Sequence, residues 1–418
     1  MTLRPAARRA RRARAPIAAA LGLAVIVSGC SGDGETAGPT DPAPGTEATG
    51  AGSTAPEEFT GHVDDFYVVP DPLPAGEPGE LIRVQEVGAT EDGSATVRVM
   101  YHSRDAEDRD RAVTGIVTYP TGPAPDGGWP VVSWAHGTTG LASRCAPSRA
   151  GDAAPAFGVE GVRVATDYVG LGPVGEIHPY LSRASEGNSV IDAVRAARQL
   201  PAAHAGRRWL AVGHSQGGHG ALSAHELAGP YAPELELVGT VALAPASDFD
   251  RTFGGIDQIV ARVVGAMALY GAAGEHPEID PADYVGPQLA AAAEVIRTQC
   301  LDEIIAAVAG IPGGDDFYRQ DPRETEPARS LLLANEVGEV SAEAPLLLVS
   351  GTIDDRVVID RVRSLYRRLC DVGQVTELVV VDGAGHGDII PRTAEQVEAW
   401  LTDRLAGDPA TDSCVVAP

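Results

Sequence analysis

Trp209-Leu210-Ala211-Val212-Gly213-His214-Ser215-Gln216-Gly217-Gly218-His219-Gly220 decides how the rest of the chain is read. A short apolar run ends at Gly213, Ser215 follows, and two glycines lead into an alanine-rich segment of helical character. Gly-x-Ser-x-Gly between a strand and a helix is the pattern of a nucleophile elbow. The serine backbone is strained in such a turn, and small residues are needed beside it where neighbouring chains come close. The turn lifts the Ser215 hydroxyl clear of the sheet edge and lets the N–H of Gln216 point at a developing oxyanion. Ser215 is therefore the candidate nucleophile. The flanks are what separate it from an ordinary glycine-rich turn.

Strand and helix patterns alternate outward from this point. Ala95 to Ser103 alternates, with Val97, Val99 and Tyr101 on one face, and Val113 to Tyr119 is β-branched, which predicts an antiparallel pair. Buried strands are expected at Trp129–Ala135, Val162–Thr166, Leu235–Ala244, Pro345–Gly351 and Val375–Asp382. Ser185 to Leu200 reads as an amphipathic helix with Val190, Ile191, Val194, Ala197 and Leu200 on one side. The helix after Ser215 should run to about Leu227. Such alternation predicts an α/β fold with a mostly parallel central sheet covered on both faces. The rhythm breaks between residues 249 and 344, which are alanine-rich and helix-like. That insertion is expected to lie over the C-terminal edge of the strands as a helical cap.

A serine hydroxyl is a weak nucleophile at neutral pH and needs a base, which needs an orienting acid. In α/β-hydrolases the three follow in the order Ser, Asp or Glu, His. Gly351-Thr352-Ile353-Asp354-Asp355 follows one strand, and Asp382-Gly383-Ala384-Gly385-His386-Gly387 follows the next. Asp354 and His386 are thus the candidate acid and base, with Asp355 and Asp248 as the alternatives for the acid. The other histidines fit less well. His214 should turn to the opposite side of the elbow, His219 lies on the next helix, His178 precedes Pro179, and His136 shapes its own loop. An oxyanion hole needs two converging donors. Gln216 N–H supplies one, and His136-Gly137-Thr138-Thr139-Gly140 is expected to supply the other through Thr138 or Thr139.

The N-terminus reads differently. Six arginines between Arg4 and Arg14 precede an apolar run from Pro16 to Val27, then Val27-Ser28-Gly29-Cys30. A basic region, a short apolar core and a small-residue cleavage site predict a secretory signal over residues 1–29, too short for a membrane span. The end resembles a bacterial lipobox, which would make Cys30 the lipidated first residue of an exported protein anchored to the membrane's outer face. Residues 30–56 are Gly, Ser, Thr, Pro, Ala and acid, and are expected to form a disordered tether. The core is expected over 57–248 and 345–418.

The net charge of −26 and pI near 4.7 argue against nucleic acid as a partner. Beyond Cys30, four cysteines remain, an even number suited to an oxidising compartment. Of the three possible pairings, Cys145–Cys300 with Cys370–Cys414 is preferred, because each staples a long excursion. No spacing suggests a metal site, and the expected chemistry needs no cofactor.

Several further motifs carry a family resemblance. HGTTG (136–140) with Cys-Ala-Pro-Ser (145–148), TDYVGLG (166–172), His-Pro-Tyr-Leu (178–181), GHSQGG (213–218), Tyr-Ala-Pro-Glu-Leu (231–235) and GTIDD (351–355) together resemble the secretory lipase family of fungi and actinobacteria. The likeness runs from about residue 60 onward. It implies an α/β-hydrolase core with a helical cap and hydrolysis of acylglycerols or other carboxylic esters. It also implies disulfides near Cys145 and the C-terminus, and carries the triad onto Ser215, Asp354 and His386. Fungal members use an acidic side chain in the oxyanion loop, where this chain has threonines. The rival readings are the same triad acting on another acyl group, as a peptidase, polyesterase or acyltransferase, and a surface lipoprotein that binds apolar ligands without catalysis.

Overall fold

A computed structural model of the protein describes residues 55–151, 153–254 and 259–415, with backbone alone at 252–254. The proposed signal, Cys30 and nearly all of the tether lie outside the described residues. Among the described residues, ten strands form one sheet: β1 (Glu57–Glu58), β2 (Leu81–Ala89), β3 (Ala95–Arg104), β4 (Asp110–Tyr119), β5 (Trp129–Ala135), β6 (Val162–Thr166), β7 (Ala205–His214), β8 (Glu236–Leu243), β9 (Leu346–Gly351) and β10 (Thr376–Val381). Their spatial order is β1-β2-β3-β4-β6-β5-β7-β8-β9-β10. The β2–β3, β3–β4 and β4–β6 pairs are antiparallel, and the remaining pairs are parallel. The chain folds as an α/β-hydrolase.

A central strand buries both its faces, and β7 shows how. Trp209 and Ala211 pack with Val190, Ile191, Val194 and Ala224. Leu210 and Val212 point the other way, against Val397, Trp400 and Leu401. The first set faces the helices Arg183–Arg198 and Gln216–Tyr231, and the second faces the helix Ile389–Ala406. A period of two on the strand thus fixes which helices lie on which side.

One sequence expectation needs adjustment, and one strand was not expected. The helix over 183–198 has no broad solvent face. Residues 185–194 are all buried, including Glu186, Asn188 and Asp192, because the helix Gln216–Tyr231 packs along it and Glu275 and Asn335 of the inserted segment bond to its first turn. Strand β2 carries little alternation (its outer half is exposed), so only its pairing with β3 identifies it.

Seven helices lie between β8 and β9 among the described residues, from Phe249–Gly254 to Ala328–Ala334. They close an apolar cluster of their own around Met267, Leu289, Ile296, Ile304 and Phe317. Among the described residues, no helix is long and apolar enough to cross a membrane.

Both disulfides form as expected. Cys145 pairs with Cys300, 155 residues apart, and Cys370 with Cys414, 44 residues apart. By loop closure they contribute about 5 and about 4 kcal/mol against the unfolded chain.

Candidate active site

Ser215 sits between β7 and the helix Gln216–Tyr231 with φ of 60° and ψ of −119°, which no ordinary turn demands of a side-chain-bearing residue. The crowding around it explains the glycines. A Cβ at Gly213 would stand 1.9 Å from the carbonyl oxygen of Gly217, and one at Gly217 would stand 1.9 Å from that of Ala135. The turn closes only because neither residue has a side chain.

The structure brings together the residues the sequence singled out. His386 Nε2 lies 2.9 Å from Ser215 Oγ, and its Nδ1 lies 2.8 Å from Asp354 Oδ2. The other Asp354 oxygen accepts from the N–H groups of Arg356 and Val357, each at 2.8 Å. Burial pushes the Asp354 carboxyl up. The hydrogen bond and charge of His386, with the two N–H donors, outweigh burial and hold it below its ordinary value. The alternatives are not the residues bonded to His386: Asp355 is exposed on the wall of the same cavity, and Asp248 lies 3.6 Å from Arg251.

His214 departs in part from its expected place. It does turn to the face opposite Trp209 and Ala211, but the loop after β10 covers that face. Its Nε2 donates to the His386 carbonyl at 3.0 Å, and the two rings lie 4.6 Å apart. Burial, reinforced by the neighbouring imidazole, pushes it down to about 4, so it stays neutral. His136 is likewise pushed down by burial to about 4, and its Nδ1 donates to Gly137 O at 2.6 Å. It shapes its loop.

These groups open on a cavity of about 650 Å³ at the C-terminal ends of the strands. Ser215, His386, Thr138 and Thr139 line one side, and Val260, Val263, Val264, Leu301 and Ile305 line the other. Thr138 Oγ1 shares a 2.8 Å hydrogen bond with Tyr180 Oη. Gln216 is the first residue of its helix, so its N–H has no acceptor in the preceding turn. The loop 136–140 is pinned to the inserted helices, because Leu301 N–H donates to Thr139 O at 2.9 Å beside the Cys145–Cys300 bridge.

Below the elbow lies a buried polar cluster that the sequence did not announce. Glu186 Oε1 accepts from Leu181 N–H at 3.0 Å and from the Gln216 side-chain amide at 2.7 Å. Its Oε2 accepts from His219 Nδ1 at 2.7 Å, while His219 Nε2 donates to Asn335 O at 2.9 Å. Both His219 nitrogens face groups that only accept, so the ring carries two protons and a positive charge. Burial pushes Glu186 up, but His178, whose Nε2 lies 3.6 Å from Oε1, and His219 outweigh it and hold it down to about 2. His219 is raised, its bond to Glu186 overcoming burial. Only the spacing of Gln216 and His219 on one helix turn hinted at such a cluster.

The fold is that of an α/β-hydrolase, and Ser215, His386 and Asp354 stand hydrogen-bonded in a row at the C-terminal ends of its strands. The chain belongs to the secretory lipase family, whose pattern matches residues 156–413. A Mycobacterium tuberculosis protein named as a probable inactive lipase is 27% identical, over 84% of this chain and 83% of its own. A secreted triacylglycerol lipase of Malassezia globosa is 22% identical over 57% of this chain and 53% of its own. Candida antarctica lipase A has a similar fold, with a TM-score of 0.69 and 17% identity over 84% of this chain and 87% of that one. The rice cell wall degrading esterase LipA of Xanthomonas oryzae gives a TM-score of 0.67 and 21% identity over 80% and 100%.

Proposed function

We propose that the protein hydrolyses carboxylic esters with an apolar acyl chain, through a covalent ester on Ser215. The observation that carries this reading is the unbroken row from Ser215 Oγ through His386 to Asp354, opening on a half-apolar cavity. His386 takes the proton from Ser215 as the hydroxyl attacks the ester carbonyl. Asp354, kept ionised, holds the imidazole with Nδ1 protonated so that Nε2 is free to accept. The tetrahedral oxyanion receives hydrogen bonds from Gln216 N–H and from the Thr138–Thr139 loop. His386 then protonates the leaving alcohol and activates water against the acyl-enzyme. Residues 249–344 act as the cap that supplies the acyl-chain wall on a core of 57–248 and 345–418.

The export assignments belong to the same proposal. Residues 1–29 direct secretion, Cys30 carries the lipid, and 30–56 is the tether. Labelled palmitate should enter the protein in a bacterial host and be lost in Cys30→Ser.

The test of catalysis is turnover of p-nitrophenyl esters of rising chain length, followed by emulsified triacylglycerol. Wild type should hydrolyse them, and Ser215→Ala should lose on the order of 10⁶ in kcat. One observation favours a second reading: the mycobacterial relative that covers most of the chain is named inactive. A protein that binds laurate yet turns over no ester of any length would bear that reading out.

A further inference from the structure

The wall of the cavity beside Asp354 is charged rather than apolar. Arg356 and Arg361 line it with Asp355, next to Ser215 and His386. Arg361 is only 8% exposed, yet among the described residues its guanidinium has one hydrogen bond, a long one of 3.5 Å to the carbonyl of Arg356. A buried arginine ordinarily finds a carboxylate or several carbonyls for its five N–H groups. The nearby carboxylates do not fill that role. Asp354 is committed to His386 and two N–H groups, Asp355 is exposed on the same cavity wall, and Asp248, whose Oδ2 is buried without a hydrogen bond, reaches Arg361 only through its charge. Burial lowers the Arg361 pKa and Arg251 adds to this, against the pull of Asp248 and Asp354. Arg361 and the more exposed Arg356 therefore line the cavity with Asp355, which leaves that wall one positive charge in excess.

We propose that Arg361, with Arg356 beside it, binds an anionic group of the substrate. The preferred ester is then an amphiphile, with its acyl chain along Val260, Val263 and Val264 and a phosphate or carboxylate on its alcohol portion. This rests on the hydrolase reading and narrows its substrate class. The net charge of −26 does not oppose it, because repulsion from exposed acids is screened beyond about 10 Å, whereas a desolvated guanidinium acts at contact. An arginine suits the role, since its fork pairs with two oxygens of either anion at once.

Three lauroyl esters of matched chain separate the outcomes: monolauroylglycerol, its phosphate, and O-lauroyl glycolate. Wild type should show a kcat/KM for one or both anionic esters about tenfold above the neutral one, and which of the two leads identifies the anion. Arg361→Met should lower the anionic-to-neutral ratio by about tenfold, to near parity, and Arg361→Lys by less. The lysine variant keeps the comparison open if the methionine variant does not fold. A wild type without anionic preference, or variants that slow all three esters equally, overturns the proposal while leaving ester hydrolysis intact. If no ester is turned over, the hydrolase reading fails and calorimetry with lauryl phosphate and laurate decides the anion site. Binding that Arg361→Met abolishes supports it, and binding that is absent or unaffected overturns it.

Discussion

Replacing Glu186 by glutamine probes whether the ion pair below the elbow holds Ser215 in place. The carboxylate receives three hydrogen bonds, from Leu181 N–H, the Gln216 amide and protonated His219. A neutral amide keeps the shape but removes the charge and puts an NH₂ where one acceptor stood. His219 escapes a donor–donor clash only by giving up its Nδ1 proton. Each charge-assisted bond then weakens by roughly 1 kcal/mol, so the loss is about 3 kcal/mol. The pH dependence follows from the two shifts. Glu186 is depressed, so its contribution is full above its ordinary value near 4.5 and fades as pH falls toward 2. His219 is raised, so its contribution is full below its ordinary value near 6.5 and fades as pH rises through its folded value. The difference between wild type and variant should thus be greatest between about pH 4.5 and 6.5. Urea unfolding at several pH values reads both quantities, and kcat on a soluble ester should fall with them because Gln216 follows the nucleophile. A variant within 1 kcal/mol of wild type at pH 5.5, with an unchanged pH curve, refutes the ion pair.

Other substitutions test other parts. Gly217→Ala should abolish turnover and destabilise by several kcal/mol, since its Cβ would enter the Ala135 carbonyl; thermal unfolding with an esterase assay checks both. Breaking the Cys145–Cys300 bridge with Cys300→Ser should lower stability by up to about 5 kcal/mol, and kcat more than KM, because the bridge anchors the Thr138–Thr139 loop. Asp167 is pushed up by burial to about 6, against its bonds to Ser148 and Thr114. Its contribution is present below pH 4 and lost as pH rises through 6, so Asp167→Asn should remove up to about 3 kcal/mol of that decline, read by unfolding at pH 4 and pH 7.5.

Residue order alone was enough to indicate the hydrolase core and the row of three. A buried parallel strand, a tight glycine turn and a loop after each of two later strands are local patterns, and their chain order is fixed by sheet topology. The disulfide partners needed one more step, because four cysteines allow three pairings and only the folded chain places Cys145 beside Cys300. The rest was decided in three dimensions. Glu186 and His219 look like surface residues of two helices until those helices pack together, which removes water and forces their charges to pair. His214 met His386 only because the loop after β10 crosses the α-helical face behind the elbow. Arg361 reads as one more charge on a polar helix, and it acquires meaning only when the fold buries it against the cavity with one long hydrogen bond. Periodicity records which face of an element is apolar; whether a polar group on it is solvated, paired or stranded depends on what another part of the chain brings alongside.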